Sequence, residues 1–143
     1  MSVATSGEQS GLASEAWVSM LQFFFEKGRP RMLELWREFD LMPPQQMLLG
    51  HLDEPRPMGE LAQQLHCDNS NITGIVDRLT ERGLVERRAA EGDRRIKLVA
   101  LTKAGRELRD ELARRRAIPP PELEDLPAED LAHLQRIFST IRK

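Results

Sequence analysis

The chain has 143 residues, one domain's length and enough to bury a core without metal or disulfide support. Its single cysteine, Cys67, excludes a disulfide framework and a cysteine zinc cluster, and His51, His66 and His133 stand too far apart in sequence to form a ligand set. Net charge is −2, yet residues 78–116 hold 13 Lys and Arg against 7 Asp and Glu: one basic segment in an acidic chain, which is the footprint of a polyanion partner or else a solvated helix face.

Residues 1–10 read as a flexible tail without the basic-then-apolar order of a signal peptide. No apolar run approaches the roughly 18 residues of a membrane span, so a cytoplasmic protein without membrane partners is expected. From about residue 11 to 39, Leu12, Ala16, Met20, Phe23 or Phe24, Met32, Leu35, Trp36 and Phe39 recur at helical intervals. Gly28 and Pro30 interrupt them, which predicts one kinked helix or two consecutive ones. Pro43 and Pro44 suit the first turn of a short helix that Asp53 to Pro57 would end. "MGELAQQL" predicts another, with Leu61, Ala62 and Leu65 inward and no capping residue at its start.

Asp68 is a natural N-cap for the next helix, which carries Ile72, Ile75, Val76 and Leu79 on one face and stops at Gly83. "LVERR" and "IKLVAL" are β-prone runs around "AAEGDRR", read as a seven-residue loop and so longer than most hairpin connections. Thr102 caps "KAGRELRDELARRR", whose last arginines, Arg114 to Arg116, suit a solvated helix end. "IPPPELEDLP" breaks that helix, and the last one aligns Leu131, Leu134, Ile137, Phe138 and Ile141. The fold class is therefore mainly α with a small β-ribbon.

Two short helices followed by a ribbon make a winged helix-turn-helix, here at about residues 43–101. The second helix of such a unit enters a major groove about 12 Å wide, and the ribbon reaches an adjacent minor groove. Asn69, Ser70, Asn71 and Thr73 supply short polar side chains at the exposed helix start, whose N–H groups also favour phosphate. Arg94 and Arg95, at the tip of the ribbon, are placed to enter the narrow, electronegative minor groove. Asp93 is expected to pair with one guanidinium and orient it.

The stretches "NITGIVDRLTERGLVERR" and "GDRRIKLVALTKAG" carry a resemblance to the MarR family of bacterial winged helix-turn-helix transcriptional regulators. The second has that family's wing signature: Asp, any residue, Arg, an alternating strand, Leu-Thr, two residues and Gly. The resemblance extends over nearly the whole chain. It implies a homodimer in which terminal helices, about 11–39 and 103–143, interlock. It also implies binding to a pseudo-palindromic operator on double-stranded DNA, as a repressor that a small-molecule effector releases. By position, Arg95 resembles the family's minor-groove arginine and Asp93 its partner. Ser70, Asn71 and Thr73 resemble recognition-helix contacts, Arg78 a phosphate or structural contact, and Arg87 and Arg88 contacts to the DNA backbone. Gly74 departs from the pattern, standing where many relatives carry arginine, and His66 and Cys67 replace small or apolar turn residues.

Several residues keep two readings. Trp17, Met20, Phe24, Trp36 and His51 are candidates for an effector pocket, or simply core, with His51 either a ligand contact or a satisfied interior histidine. Cys67 is a redox switch beside His66, or a small hydrophobe packing the turn. Phe23, Phe24 and Phe25 cannot all face one core, so at least one is expected to meet a second subunit. No glycine-rich phosphate loop or nucleophile elbow supports an enzyme, and no cofactor is implied. The alternative from another class is a winged-helix protein-interaction module, which would want an apolar or acidic face in place of this polar and basic one.

Overall fold

Apolar residues at helical spacing build two N-terminal helices, α1 (Ser6–Phe23) and α2 (Arg29–Phe39), joined by a π-helical turn at Phe24–Gly28. The computed structural model describes residues 6–142. At the junction the Arg29 N–H reaches back to the Phe24 carbonyl. Pro30 has no N–H and its ring would press on the Glu26 carbonyl, so the helix widens by one residue and continues. Part of the expected tail of residues 1–10 is ordered. Residues 6–10 are helical, with Glu8 near the positive end of the helix dipole, and residues 1–5 lie outside the described residues.

The chain divides into two compact units. One contains the described residues up to Leu33 and those from Ala117 on; the other is Glu34–Arg116. The second holds α3 (Pro43–Gly50), β1 (Arg56–Pro57), α4 (Met58–Gln64), α5 (Asn69–Glu81), β2 (Val85–Ala90), β3 (Asp93–Leu101) and α6 (Lys103–Arg116). Its sheet is antiparallel in the order β1–β3–β2, so the ribbon gains a third strand that the sequence reading lacked. Arg56 faces Val99 and Pro57 faces Leu98. Two residues leave no alternation to detect, and Pro57, without an N–H, is admissible only because β1 is an edge.

Leu48, Leu49, Leu61, Ile72, Val76, Leu79, Val85 and Val99 are fully enclosed at the centre of this unit. The inward positions expected on α5 are those the core uses. Helix α6, grouped with the terminal helices on the sequence, instead brings Leu112 into this core, with Leu108 packed against it. The turn between α4 and α5 runs through His66 at φ +50, a left-handed position in a non-glycine residue, and Cys67 packs against the core. Helix α5 closes on Gly83 at φ +69: the Gly83 N–H bonds the Thr80 carbonyl and the Leu84 N–H bonds that of Leu79.

Arg82 follows α5, and its guanidinium donates to the carbonyls of Phe39 at 3.0 Å and Asp40 at 2.5 Å. These carbonyls end α2, where helical partners run out. Arg82→Ala is expected to lower the unfolding free energy by about 1 kcal/mol, a charge-assisted contact discounted for its exposure. A urea midpoint unchanged from the parent would show that water replaces the arginine without loss.

The terminal unit contains α1, the π turn, the short α7 (Pro121–Glu124) and α8 (Ala128–Ile141). Lys27 pairs with Glu122 at 2.6 Å, and Arg31 donates to the Ile118 carbonyl at 3.0 Å. No residue of α1 or α8 is buried. Phe23, Phe24 and Phe25 are all exposed, as are Ile137, Phe138 and Ile141 of the expected stripe.

Candidate nucleic-acid interface

Helix α5 starts from Asp68 in extended backbone, φ −78 and ψ 169. Its carboxylate accepts from the Asn71 N–H at 2.8 Å and the Ser70 hydroxyl at 2.9 Å. Those two bonds, the Asn71 N–H foremost, hold the Asp68 carboxyl below the usual aspartate range. Because the folded value is lowered, the cap's contribution is complete above the usual aspartate range and fades as pH falls through the lower folded value. The Thr73 hydroxyl donates to the Asn69 carbonyl at 2.7 Å. Ser70 and Thr73 thus commit their protons to the helix and turn only lone pairs outward. Asn69, Ser70, Asn71 and Thr73 are all exposed.

The wing departs from the seven-residue loop. Its strands run to a two-residue turn at Glu91 and Gly92, with Gly92 at φ +83. Ala89 pairs with Lys97 and Ala90 with Asp93, so one step along β2 meets four along β3. Arg94, Arg95 and Ile96 are the surplus, pushed out of the ladder as a bulge. The pair of alanines extends β2 while the bulge takes up the extra residues, which no propensity of "AAEGDRR" announces.

Asp93 also differs from expectation. Its carboxylate accepts the Arg95 backbone N–H at 2.9 Å and is paired with no guanidinium among the described residues. An aspartate bonding the backbone two residues on is a local turn lock, and it competes directly with reaching a side chain. Arg94 and Arg95 are exposed, with no ion pair among the described residues.

Arg87 and Arg88 sit on β2 as expected, but each has a carboxylate. Arg87 pairs with Asp77 of α5 at 2.5 Å, bracing wing to helix, and Arg88 pairs with Glu86 at 2.6 Å. Arg78 is exposed at one edge of a recess of about 310 Å³ that the sequence reading missed. Met42 and Pro44 at the start of α3 form one wall, and Asn71, Gly74 and Ile75 of α5 the other. It joins residues some thirty positions apart, beyond the reach of any local pattern.

The five effector candidates fall in both units. Met20 and Phe24 line an apolar recess of about 630 Å³ in the terminal unit, with Leu123, Leu134 and Phe138. Trp17 is exposed in the same unit, whereas Trp36 and His51 are half-buried in the other.

Comparison with known proteins adds to this geometry. The model of the MarR family matches residues 47–97. The HTH-type transcriptional repressor MdtR of Bacillus subtilis (strain 168) is 30% identical over 85% of this chain and 80% of its own length. The HTH-type transcriptional regulator YfiV of the same organism is 30% identical over 66% of this chain, which spans only 59% of that protein. The crystal structure of YusO from Bacillus subtilis superposes with a TM-score of 0.74 at 29% identity, covering 93% of this chain and 96% of that one.

Proposed function

We propose, from the premise that this chain belongs to the MarR family, that it represses transcription as a homodimer bound to a pseudo-palindromic DNA operator. At the coarser level it is a DNA-binding transcriptional regulator and not an enzyme. The similarity to the repressor MdtR over most of both chains supports the repressor reading. The observation that carries the DNA reading is the pairing of two surfaces in one unit: the exposed polar start of α5 and the bulge that lifts Arg94 and Arg95. A protein-interaction module would have little use for a strand bulge of unpaired arginines.

The dimer rests on α1, the π turn and α8, which expose large apolar side chains in the single chain, among them Phe23, Phe24, Phe25, Ile137, Phe138 and Ile141. A two-fold partner covers such a stripe and matches operator symmetry, with half-sites roughly one helical turn, about 10 bp, apart. Gel shifts with genomic fragments test binding, and light scattering tests assembly. A stable monomer at micromolar concentration would contradict the dimer. No helix among the described residues is long and apolar enough to cross a membrane, and work on genomic DNA belongs in the cytoplasm.

Affinity should depend steeply on salt despite the overall charge of −2. If Arg78, Arg94 and Lys97 of each subunit each neutralise one phosphate, log K falls against log salt with a slope of roughly −5, at about −0.9 per contact. A flat dependence between low and physiological salt would remove these residues from the backbone.

Release by a small molecule completes the reading, with Met20 and Phe24, which line the apolar recess of the terminal unit, as candidate contacts. Trp17 and Trp36 are the only tryptophans, so quenching of intrinsic fluorescence by apolar aromatic compounds, together with loss of DNA binding, is its test. Cys67 offers less as a redox trigger, because it is half-buried against the core.

A further inference from the structure

We infer that the recess between α3 and α5 reads a thymine through its C5 methyl group, and that Gly74 makes the room for it. The inference rests on the DNA-binding reading, since the recess is continuous with the α5 face assigned to the major groove. It shares Ser70, Asn71 and Arg78 with that face.

The α3 wall is unsuited to phosphate. Pro43 and Pro44 have no N–H, the Met42 N–H is taken by the Gln45 Oε1 at 2.9 Å, and the Gln45 N–H turns back to the Met42 carbonyl at 3.0 Å. What this helix start offers outward is the Met42 side chain, 60% exposed, beside the ring of Pro44. A largely apolar wall whose backbone donors are absent or already taken suits a methyl group, and among the unmodified bases only thymine displays one in the major groove. About 310 Å³ accommodates the methyl and the ring edge that carries it.

Gly74 stands opposite, one turn beyond Ser70 and Asn71. A Cβ built on it meets no atom within 4 Å, and its φ is not in the left-handed region. Neither packing nor backbone conformation therefore requires glycine, although alanine would be the better helix residue. The remaining use of glycine is outward: it leaves open the space that the base edge enters. Arg78 at the rim then lies where it can hold the neighbouring phosphate or base.

The test uses the full-length protein and a site selected from a random DNA pool. Each symmetric pair of thymines is replaced in turn by deoxyuridine, which removes the methyl and nothing else. One pair should weaken binding by about fifteenfold, from about fourfold for each buried methyl. Gly74→Ala should melt at a higher temperature than the parent, lose a similar factor on the thymine site, and be indifferent to uridine at that pair. If every pair tolerates uridine within twofold while the parent still binds its site specifically, the recess reads no methyl and the DNA-binding reading stands without it. Equal binding of Gly74→Ala and the parent to the thymine site overturns the inference as well. A parent that selects no site overturns both.

Discussion

Gly105→Ala is expected to lower the unfolding free energy by about 3–4 kcal/mol, the largest loss expected from a methyl group added at any of the chain's glycines. A Cβ at Gly105 would stand 1.9 Å from the Leu84 carbonyl oxygen, 2.9 Å from its carbon and 3.2 Å from the Leu101 Cδ2. The first two are backbone atoms, and neither is free to withdraw. The Leu84 carbonyl accepts the Thr102 N–H at 3.1 Å. The Thr102 hydroxyl donates to the Gly83 carbonyl at 2.6 Å and accepts the Gly105 N–H at 3.1 Å. Thr102 therefore ties the start of α6 to the end of α5, and Gly105 is where the two backbones touch. Relieving the clash means breaking that tie or moving α6, whose Leu112 belongs to the core. Gly74→Ala is the control, because the same change in open space should raise the melting temperature. Urea unfolding of both variants decides the matter, and a Gly105→Ala midpoint close to the parent's would mean that α6 is not held at its start.

This contrast between two glycines also shows what a sequence can disclose. The Leu-Thr-x-x-Gly pattern was visible and Thr102 could be read as a cap, but the need for glycine arises from Leu84, twenty-one positions away in the chain. Helix α5 was legible because its own residues specify it: Asp68 caps, four apolar residues face inward and Gly83 ends it. The wing was legible only as two strands. Its register depends on which β3 residues are expelled, and β-propensity treats Arg94, Arg95 and Ile96 as ordinary strand or loop positions. Strand β1 escaped notice because two residues carry no period. Arg82 enters the sequence reading only through the charge count of residues 78–116, whereas tertiary structure spends it on two carbonyls at the end of α2. For Gly105 and Arg82 the missing information was a partner distant in sequence.

The wing allows a sharp prediction because Asp93 holds backbone and not a guanidinium. Arg95→Ala should weaken DNA binding by at least about tenfold per half-site, the value of a charge-assisted contact, and so on the order of a hundredfold for a dimer. The loss should appear on every operator variant and be greatest where A·T-rich flanks narrow the minor groove. If Asp93 oriented a guanidinium, Asp93→Asn would forfeit the charge and act as a weaker Arg95→Ala. The observed bond makes a different demand. Its acceptor at 2.9 Å from the Arg95 N–H needs a side-chain oxygen at that position but no charge. Asparagine supplies that oxygen, tolerates the same turn geometry and removes a negative charge from a surface meant to face phosphate. Asp93→Asn should therefore bind as tightly as the parent or more tightly, and Asp93→Ala should lose affinity as the bulge loosens. Circular dichroism should be unchanged in all three variants, since Asp93 and Arg95 are exposed. Titrating each variant against one operator at fixed salt separates the two mechanisms. Asp93→Asn as weak as Asp93→Ala would restore the charge-pairing role, and parental affinity in Arg95→Ala would leave the arginine bulge without a part in DNA recognition.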